Sequence, residues 1–280
     1  MKPTKLARIK KQAAKFSALW LGDLHLDKAD KRQQAQLFET ISSSKSNCVI
    51  ITGDIGNAHD LQDHLKALAS VCWPRPCYFV TGNHDYHGSS IADLETALAQ
   101  LQQKVANFHF LDGKKIIPLG RNTCLIGHGG WPDARAGVGQ HTTIDSPDRH
   151  AIRDFHGMGR RMALRKMNEL GQESAAAIRK ILPLALTRYH HVVIATHVPP
   201  YPTAVRYDDQ PCSRMHLPHF VNLSTGLAIL GIARAFPQSR ITILAGHAHS
   251  KCIQTILPNL TIRVGHARTG RPDVFDLVQL

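Results

Sequence analysis

Three aspartates, an asparagine and five histidines fall in five short motifs that together offer the donor set of a cation site. The motifs are Gly22-Asp23-Leu24-His25, Gly53-Asp54, Gly82-Asn83-His84-Asp85, Thr196-His197-Val198-Pro199-Pro200 and Gly246-His247-Ala248-His249, and each follows an apolar, strand-like run. Carboxylate, imidazole and amide oxygen suit borderline divalent metals such as manganese, iron or zinc. No cysteine belongs to the set, so a structural zinc site is not indicated. Side chains at i and i+2 of an extended chain share a face, which would aim Asp23 with His25, and His247 with His249, in common directions. A glycine ahead of four of the motifs lets the backbone turn sharply as it leaves a strand. Taken singly the motifs are weak, since an Asp-x-His after a strand is commonly a turn and Gly-Asp says almost nothing. All five in this order are very hard to obtain by chance.

The elements that must position these residues read as an α/β fold. Strand-like runs at residues 16–21, 48–52 and 77–81 alternate with helical patterns at 31–42, 61–70 and 91–103, the last with Ile91, Leu94, Leu98 and Leu101 at helical spacing. Runs at 108–111, 114–119 and 123–127 read as closely spaced antiparallel strands. Residues 129–159 form an irregular, Gly-, Pro- and His-rich connection. A helix fits 160–187, with Gly171 and Pro183 as candidate breaks. A strand at 191–195, a long loop at 201–222, a helix at 223–235, a strand at 241–245 and two or three strands within 252–278 complete the pattern. In open α/β sheets ligands bind beyond the carboxyl ends of the strands, so the five motifs can converge on one place. No repeat or linker divides the chain, which predicts a basic tail over residues 1–16 and a single domain over 17–280.

Composition bounds the function. With 280 residues, 43% of them hydrophobic, the chain can bury a substantial core. No apolar run approaches the ~20 residues of a membrane helix, and the basic start lacks the apolar stretch of a secretory signal. Six scattered cysteines form no C-x-x-C pair, which fits reduced thiols and a cytoplasmic protein. The net charge of +13 is concentrated in residues 1–16 and in residues 149–166, which hold Arg149, Arg153, Arg160, Arg161, Arg165 and Lys166. A basic balance favours phosphorylated or polyanionic partners; a solvated tail and helix face is the plainer explanation.

The five blocks resemble the calcineurin-like metallophosphoesterase superfamily, whose pattern is Asp-x-His, Gly-Asp, Gly-Asn-His-Asp/Glu, His and Gly-His-x-His. The resemblance spans about residues 17–265. It implies a four-layer α/β/β/α sandwich with a two-metal site at the strand ends. By matched position it places Asp23, His25, Asp54 and His249 on a first divalent metal. Asp54 as a bridge, with Asn83, His197 and His247, would hold the second. His84 corresponds to a catalytic histidine that binds no metal. The implied reaction is hydrolysis of a phosphoester by a metal-bridging hydroxide, with His84 acting on the leaving oxygen. Asp85 is a candidate to orient His84. Gly22 stands where many members carry serine.

Two histidines compete for the second metal. His128 lies in Gly127-His128-Gly129-Gly130, similar to the block used by protein serine/threonine phosphatases. His197 lies in the His-x-Pro-Pro block of the cyclic-nucleotide phosphodiesterase-like branch, which the Gly-His-x-His ending favours. His128 is then a candidate substrate contact, as are Arg149, Arg153, Arg160 and Arg161 through their guanidinium groups. His216 and His219 sit in the long loop after His197, which is expected to help select substrate. A phosphorylated small molecule is the expected partner. A nuclease-like phosphodiesterase acting on nucleic acid, and a metal-binding scaffold without catalysis, are the alternatives.

Overall fold

Both faces of the central strands are apolar, which is why their sequences read as unbroken hydrophobic runs. The computed structural model describes residues 16–207 and 210–280, so the basic segment of the predicted tail lies outside the described residues except for Phe16. The first half holds β1 (Ser17–Leu21), α1 (Lys31–Ser43), β2 (Cys48–Thr52), α2 (Leu61–Cys72), β3 (Cys77–Val80), α3 (Ile91–Lys104), β4 (Phe108–Phe110), β5 (Ile117–Pro118) and β6 (Thr123–Gly127). After one-turn helix α4 (Asp148–Ala151) come α5 (Arg160–Leu186), β7 (His191–Ala195), β8 (Arg206–Tyr207), β9 (Gln210–Pro211) and α6 (Leu217–Phe220). The chain ends with α7 (Leu223–Ala235), β10 (Arg240–Ala245), β11 (Cys252–Leu257), β12 (Leu260–Val264) and β13 (Val274–Gln279).

Two sheets result. One has the order β13-β1-β2-β3-β4, parallel except for β13; the other has the order β11-β12-β10-β7-β6-β5, with β12, β10, β7 and β6 parallel. Successive side chains on a strand face opposite ways. Ala18, Trp20, Ile50, Tyr78 and Val80 therefore pack inward against Leu125, Val193, Ala195 and Leu244 of the facing sheet. Their neighbours Leu19, Leu21, Val49, Ile51 and Phe79 face outward to α1, α2 and α3 through Ile41, Leu65, Leu68, Leu94 and Leu98. On the far side Ile126, Val192, Ile194, Ile241 and Ile243 pack on Ile178, Ile181 and Leu182 of α5 and Ile229 and Ala233 of α7. This is the α/β/β/α sandwich. Ile50 is fully buried between the sheets, and its truncation to alanine would cost about 2–5 kcal/mol.

Three local readings change. β4 pairs parallel with β3, whereas β5 and β6 pair antiparallel in the other sheet. The three runs after residue 107 are thus not one antiparallel group: the chain crosses between sheets, and strand spacing in sequence cannot reveal that. α5 runs unbroken through Gly171 and Pro183. A Cβ at Gly171 would stand 2.5 Å from Asp133 Cβ, so the glycine serves close packing and not a break. The loop after His197 holds the antiparallel β8–β9 pair and α6. Among the described residues no helix is long and apolar enough to cross a membrane.

Candidate metal centre

β1, β2 and β3 are neighbours in one sheet and β7 and β10 in the other, and all five deliver their motifs to the same end. Backbone bonds hold the outgoing loops in step: Asp23 N–H donates to Gly53 O at 2.9 Å, His25 N–H to Asp54 O at 3.0 Å, and Gly246 N–H to His197 O at 3.0 Å. The sheets are joined at this point, because His247 N–H donates to both Asp23 carboxylate oxygens at 2.9 and 3.1 Å.

The backbone here is strained. Asp23, His25, Asp54, His247 and His249 have φ between 41° and 69°, and Ala134 is the only other described non-glycine residue with positive φ. Each such conformation costs an L-residue roughly 1–2 kcal/mol. The paired directions of Asp23 with His25 and of His247 with His249 thus come from tight left-handed turns beyond the strand ends, not from the extended backbone expected from their spacing.

Two donor clusters share Asp54. In the first, His249 Nε2 lies 3.4 Å from Asp23 Oδ1, His25 Nε2 lies 3.4 Å from His249 Nε2, and His25 Nε2 lies 3.7 Å from Asp54 Oδ2. In the second, His197 Nε2 lies 3.4 Å from Asp54 Oδ1, 3.1 Å from His247 Nδ1 and 3.1 Å from Asn83 Oδ1. One Asp54 oxygen faces each cluster.

The ring orientations fit a cation. His197 Nδ1–H donates to Thr52 O at 2.9 Å and His247 Nε2–H to His219 O at 2.9 Å. Those bonds fix the tautomers, so the lone pairs of His197 Nε2 and His247 Nδ1 face each other and cannot hydrogen-bond. Metal–ligand bonds of about 2.0–2.2 Å put neighbouring ligand atoms roughly 3–3.5 Å apart, close to the 3.1–3.7 Å separations of the two clusters. Burial pushes the imidazoles of His25 and His247 down to about 4 and lowers His197 as well, which keeps them in the neutral, metal-binding form. Burial also favours neutral Asp23, but the hydrogen bond from His249 and the attraction of the imidazoles beside it prevail and hold its carboxyl at about 2. Asp54 is raised, by burial and then by the charge of Asp23. Two facing carboxylates that repel in this way call for cationic company.

Three supporting residues went unrecognised or misread in the sequence. Asp85 does not orient His84. Its buried carboxylate accepts four backbone N–H groups, from Gly82 (2.8 Å), Asp54 (3.1 Å), Ile55 (2.8 Å) and Gly56 (3.0 Å), and so locks the β2 and β3 loops together. Asp148, just ahead of the basic segment, accepts from Asn83 Nδ2 at 2.9 Å and pairs with His87 Nε2 at 2.7 Å. His87 stands over His84 with ring centroids 4.4 Å apart. The i, i+3 spacing of His84 and His87 was the available signal, since a 3₁₀ turn eclipses those positions. Gly22 is also accounted for: a Cβ there would stand 2.4 Å from Thr52 Oγ1.

A cleft of about 650 Å³ opens over Asp54, Asn83, His84, His247 and His249. Its walls include Asp148, Tyr207, His216, His219, Phe220 and Arg268. The loop after His197 therefore reaches the site as expected. His84 lines the cleft, its ring 4.8 Å from that of His25; burial, then His87 and His25, push its imidazole down to about 2. The structure does not bring the other candidate contacts here. His128 lines a small separate cavity with Ile178, Ile194 and Ile229, and its Nδ1 accepts from Gly130 N–H. Arg149 bonds Asp145 and the Met158 carbonyl, Arg153 bonds Asp93, and Arg160 bonds the Thr143 carbonyl. Neither Arg160 nor Arg161 lines the cleft. All six cysteines are free, and none belongs to either cluster.

A family model described as calcineurin-like phosphoesterase matches residues 16–251. No curated protein matches the sequence. Among solved structures, a dimetal phosphatase from Danio rerio superposes with a TM-score of 0.58 at 16% identity, covering 95% of this chain and 92% of the other. The protein TT1561 from Thermus thermophilus superposes with a TM-score of 0.56 at 9% identity, covering 90% and 89%. At these identities the likeness is one of fold.

Proposed function

The chain belongs to the calcineurin-like phosphoesterase family, and from that premise we propose that it is a two-metal hydrolase that cleaves a phosphoester bond in a phosphorylated small molecule. The observation that carries this reading is the position of Asp54, with one carboxylate oxygen toward each donor cluster. Asp23, His25, Asp54 and His249 would hold one divalent cation, and Asp54, Asn83, His197 and His247 the other, with manganese, iron and zinc as the candidate metals. Bound there, two such cations clamp a phosphoryl group and lower the pKa of the attacking water.

The remaining work falls to side chains. His84 lies on the cleft wall beside His25 of the first cluster, and we assign it to the leaving oxygen, where its N–H stabilises developing charge. His87 packs against His84 and holds the plane of its ring. Asp148 fixes the Asn83 amide so that its oxygen, not its nitrogen, faces the cations. His197 as the ligand of the second cluster, with His128 in a different cavity, supports the cyclic-nucleotide phosphodiesterase-like branch over the phosphatase-like one.

The experiment is reconstitution with manganese, iron or zinc, followed by metal analysis and assay against aryl phosphate monoesters and diesters. About two metals per chain and turnover of at least one class are expected. Metal binding with no hydrolysis of any ester would leave the scaffold reading instead.

A further inference from the structure

A second cleft, of about 510 Å³, lies beside the metal cleft, and His266 and Arg268 line both. They belong to the loop between β12 and β13, which carries the chain from one sheet back to the other. This loop is tied to the ligand loops. Ala267 N–H donates to His249 O at 3.2 Å, and Gly265 N–H donates to Ala245 O at 2.9 Å. Farther on, Gly270, at φ 76°, packs so closely on the turn after His25 that a Cβ would lie 3.2 Å from Lys28 O.

Three cations stand exposed along this path: Lys251, two residues after His249, and Arg268 and Arg271 on the loop. None of the three has a side-chain partner among the described residues, in contrast to Arg263, which pairs with Asp276 and lies over the Trp20 ring. Among the described residues, Asp273 is the one carboxylate of the second cleft not already paired with an arginine. Unneutralised guanidinium groups grouped on a concave surface are sites for anions that accept two parallel hydrogen bonds, phosphate above all.

We propose that the second cleft is a subsite for a second phosphate group carried by the same substrate. The inference rests on the phosphoesterase reading: with one phosphoryl group over the metals, the rest of the molecule crosses Arg268 and places its other phosphate between Lys251 and Arg271. The substrate class is then a small bisphosphorylated compound. Linking two weakly held phosphates makes the second contact intramolecular, so a bisphosphate binds far more tightly than either half.

The test compares glucose 1,6-bisphosphate with glucose 6-phosphate on the manganese-reconstituted chain. Affinity is read as the competition constant against p-nitrophenyl phosphate, or by calorimetry if no ester is turned over. A preference of about ten-fold or more for the bisphosphate is expected, and it should collapse toward unity in the double variant Lys251→Gln, Arg271→Gln. Both positions are exposed, so folding is not at issue. Equal affinity for the two sugars, or a preference undiminished in the variant, overturns the proposal. A thymidine oligonucleotide that competes more strongly than the bisphosphate would also overturn it, in favour of a nucleic acid backbone. Absence of all ester hydrolysis would refute the enzymatic reading alone, since the calorimetric comparison still decides the subsite.

Discussion

The Asp148 carboxylate accepts the Asn83 side-chain N–H at 2.9 Å and thereby turns the Asn83 oxygen to within 3.1 Å of His197 Nε2. An amide can present either end, and only the oxygen can bind a cation. A residue 65 positions away thus selects the ligand atom. Replacement of Asp148 by alanine is expected to weaken the second metal by roughly 10–100-fold, as loss of such outer partners does. Titration of manganese into the variant checks this, with the first metal serving as the internal reference. Equal affinity of both metals in variant and unaltered protein would refute the positioning role.

His84→Ala should lower kcat by roughly 10²–10⁴-fold while both metals stay bound. The loss should be greater for an alkyl phosphate than for p-nitrophenyl phosphate, because more charge develops on the poorer leaving group. Equal losses for the two substrates would remove His84 from the leaving oxygen.

The two candidate histidines separate cleanly. His197→Ala is expected to lose one metal and most turnover, because its Nε2 faces Asp54, Asn83 and His247 together. His128→Ala should keep the metal content, since its ring lies in a separate cavity. Metal analysis of both variants decides, and loss of a metal from the His128 variant would contradict the assignment.

His191, at the start of β7, gives a prediction on stability. Its Nε2 bonds Thr242 Oγ1 at 2.9 Å, Arg240 donates to its Nδ1 at 2.8 Å, and burial, followed by the Arg240 charge, pushes its imidazole down to about 4. The unfolded chain, with the usual value of about 6.5, binds this proton first. Stability from this group is complete above about pH 6.5 and is lost as pH falls toward 4, by at most roughly 3 kcal/mol. Urea midpoints of the unaltered protein and of His191→Gln should therefore converge as pH falls through that window. Parallel pH dependences would exclude the contribution.

Much of this was legible in the residues. Runs such as 48–52 and 191–195, short and rich in Val and Ile, read as strands buried on both faces, and glycines followed by Asp or His mark where the chain leaves them. The two-sheet division was not legible, because β4 and β5 are close neighbours in sequence yet lie in different sheets. Asp85, Asp148 and His87 escaped for a related reason: a residue that holds a ligand in place is defined by its partner in space, and neither type nor spacing discloses that partner. Charge misled more directly. The arginines of 149–161 form the denser basic run, but most of their guanidiniums bond neighbouring acids or carbonyls, while Lys251, Arg268 and Arg271, spaced more widely along the chain, remain available beside the cleft.

The central claim is that one carboxylate joins two cation sites, and metal content of the Asp54→Asn variant tests it most directly. Burial and the facing Asp23 already disfavour the charge on Asp54, so the metal-free variant should fold and melt no lower than the unaltered chain. After reconstitution the unaltered protein should hold about two manganese ions and the variant markedly fewer at both sites. A variant that retains one site at full affinity would contradict the bridge.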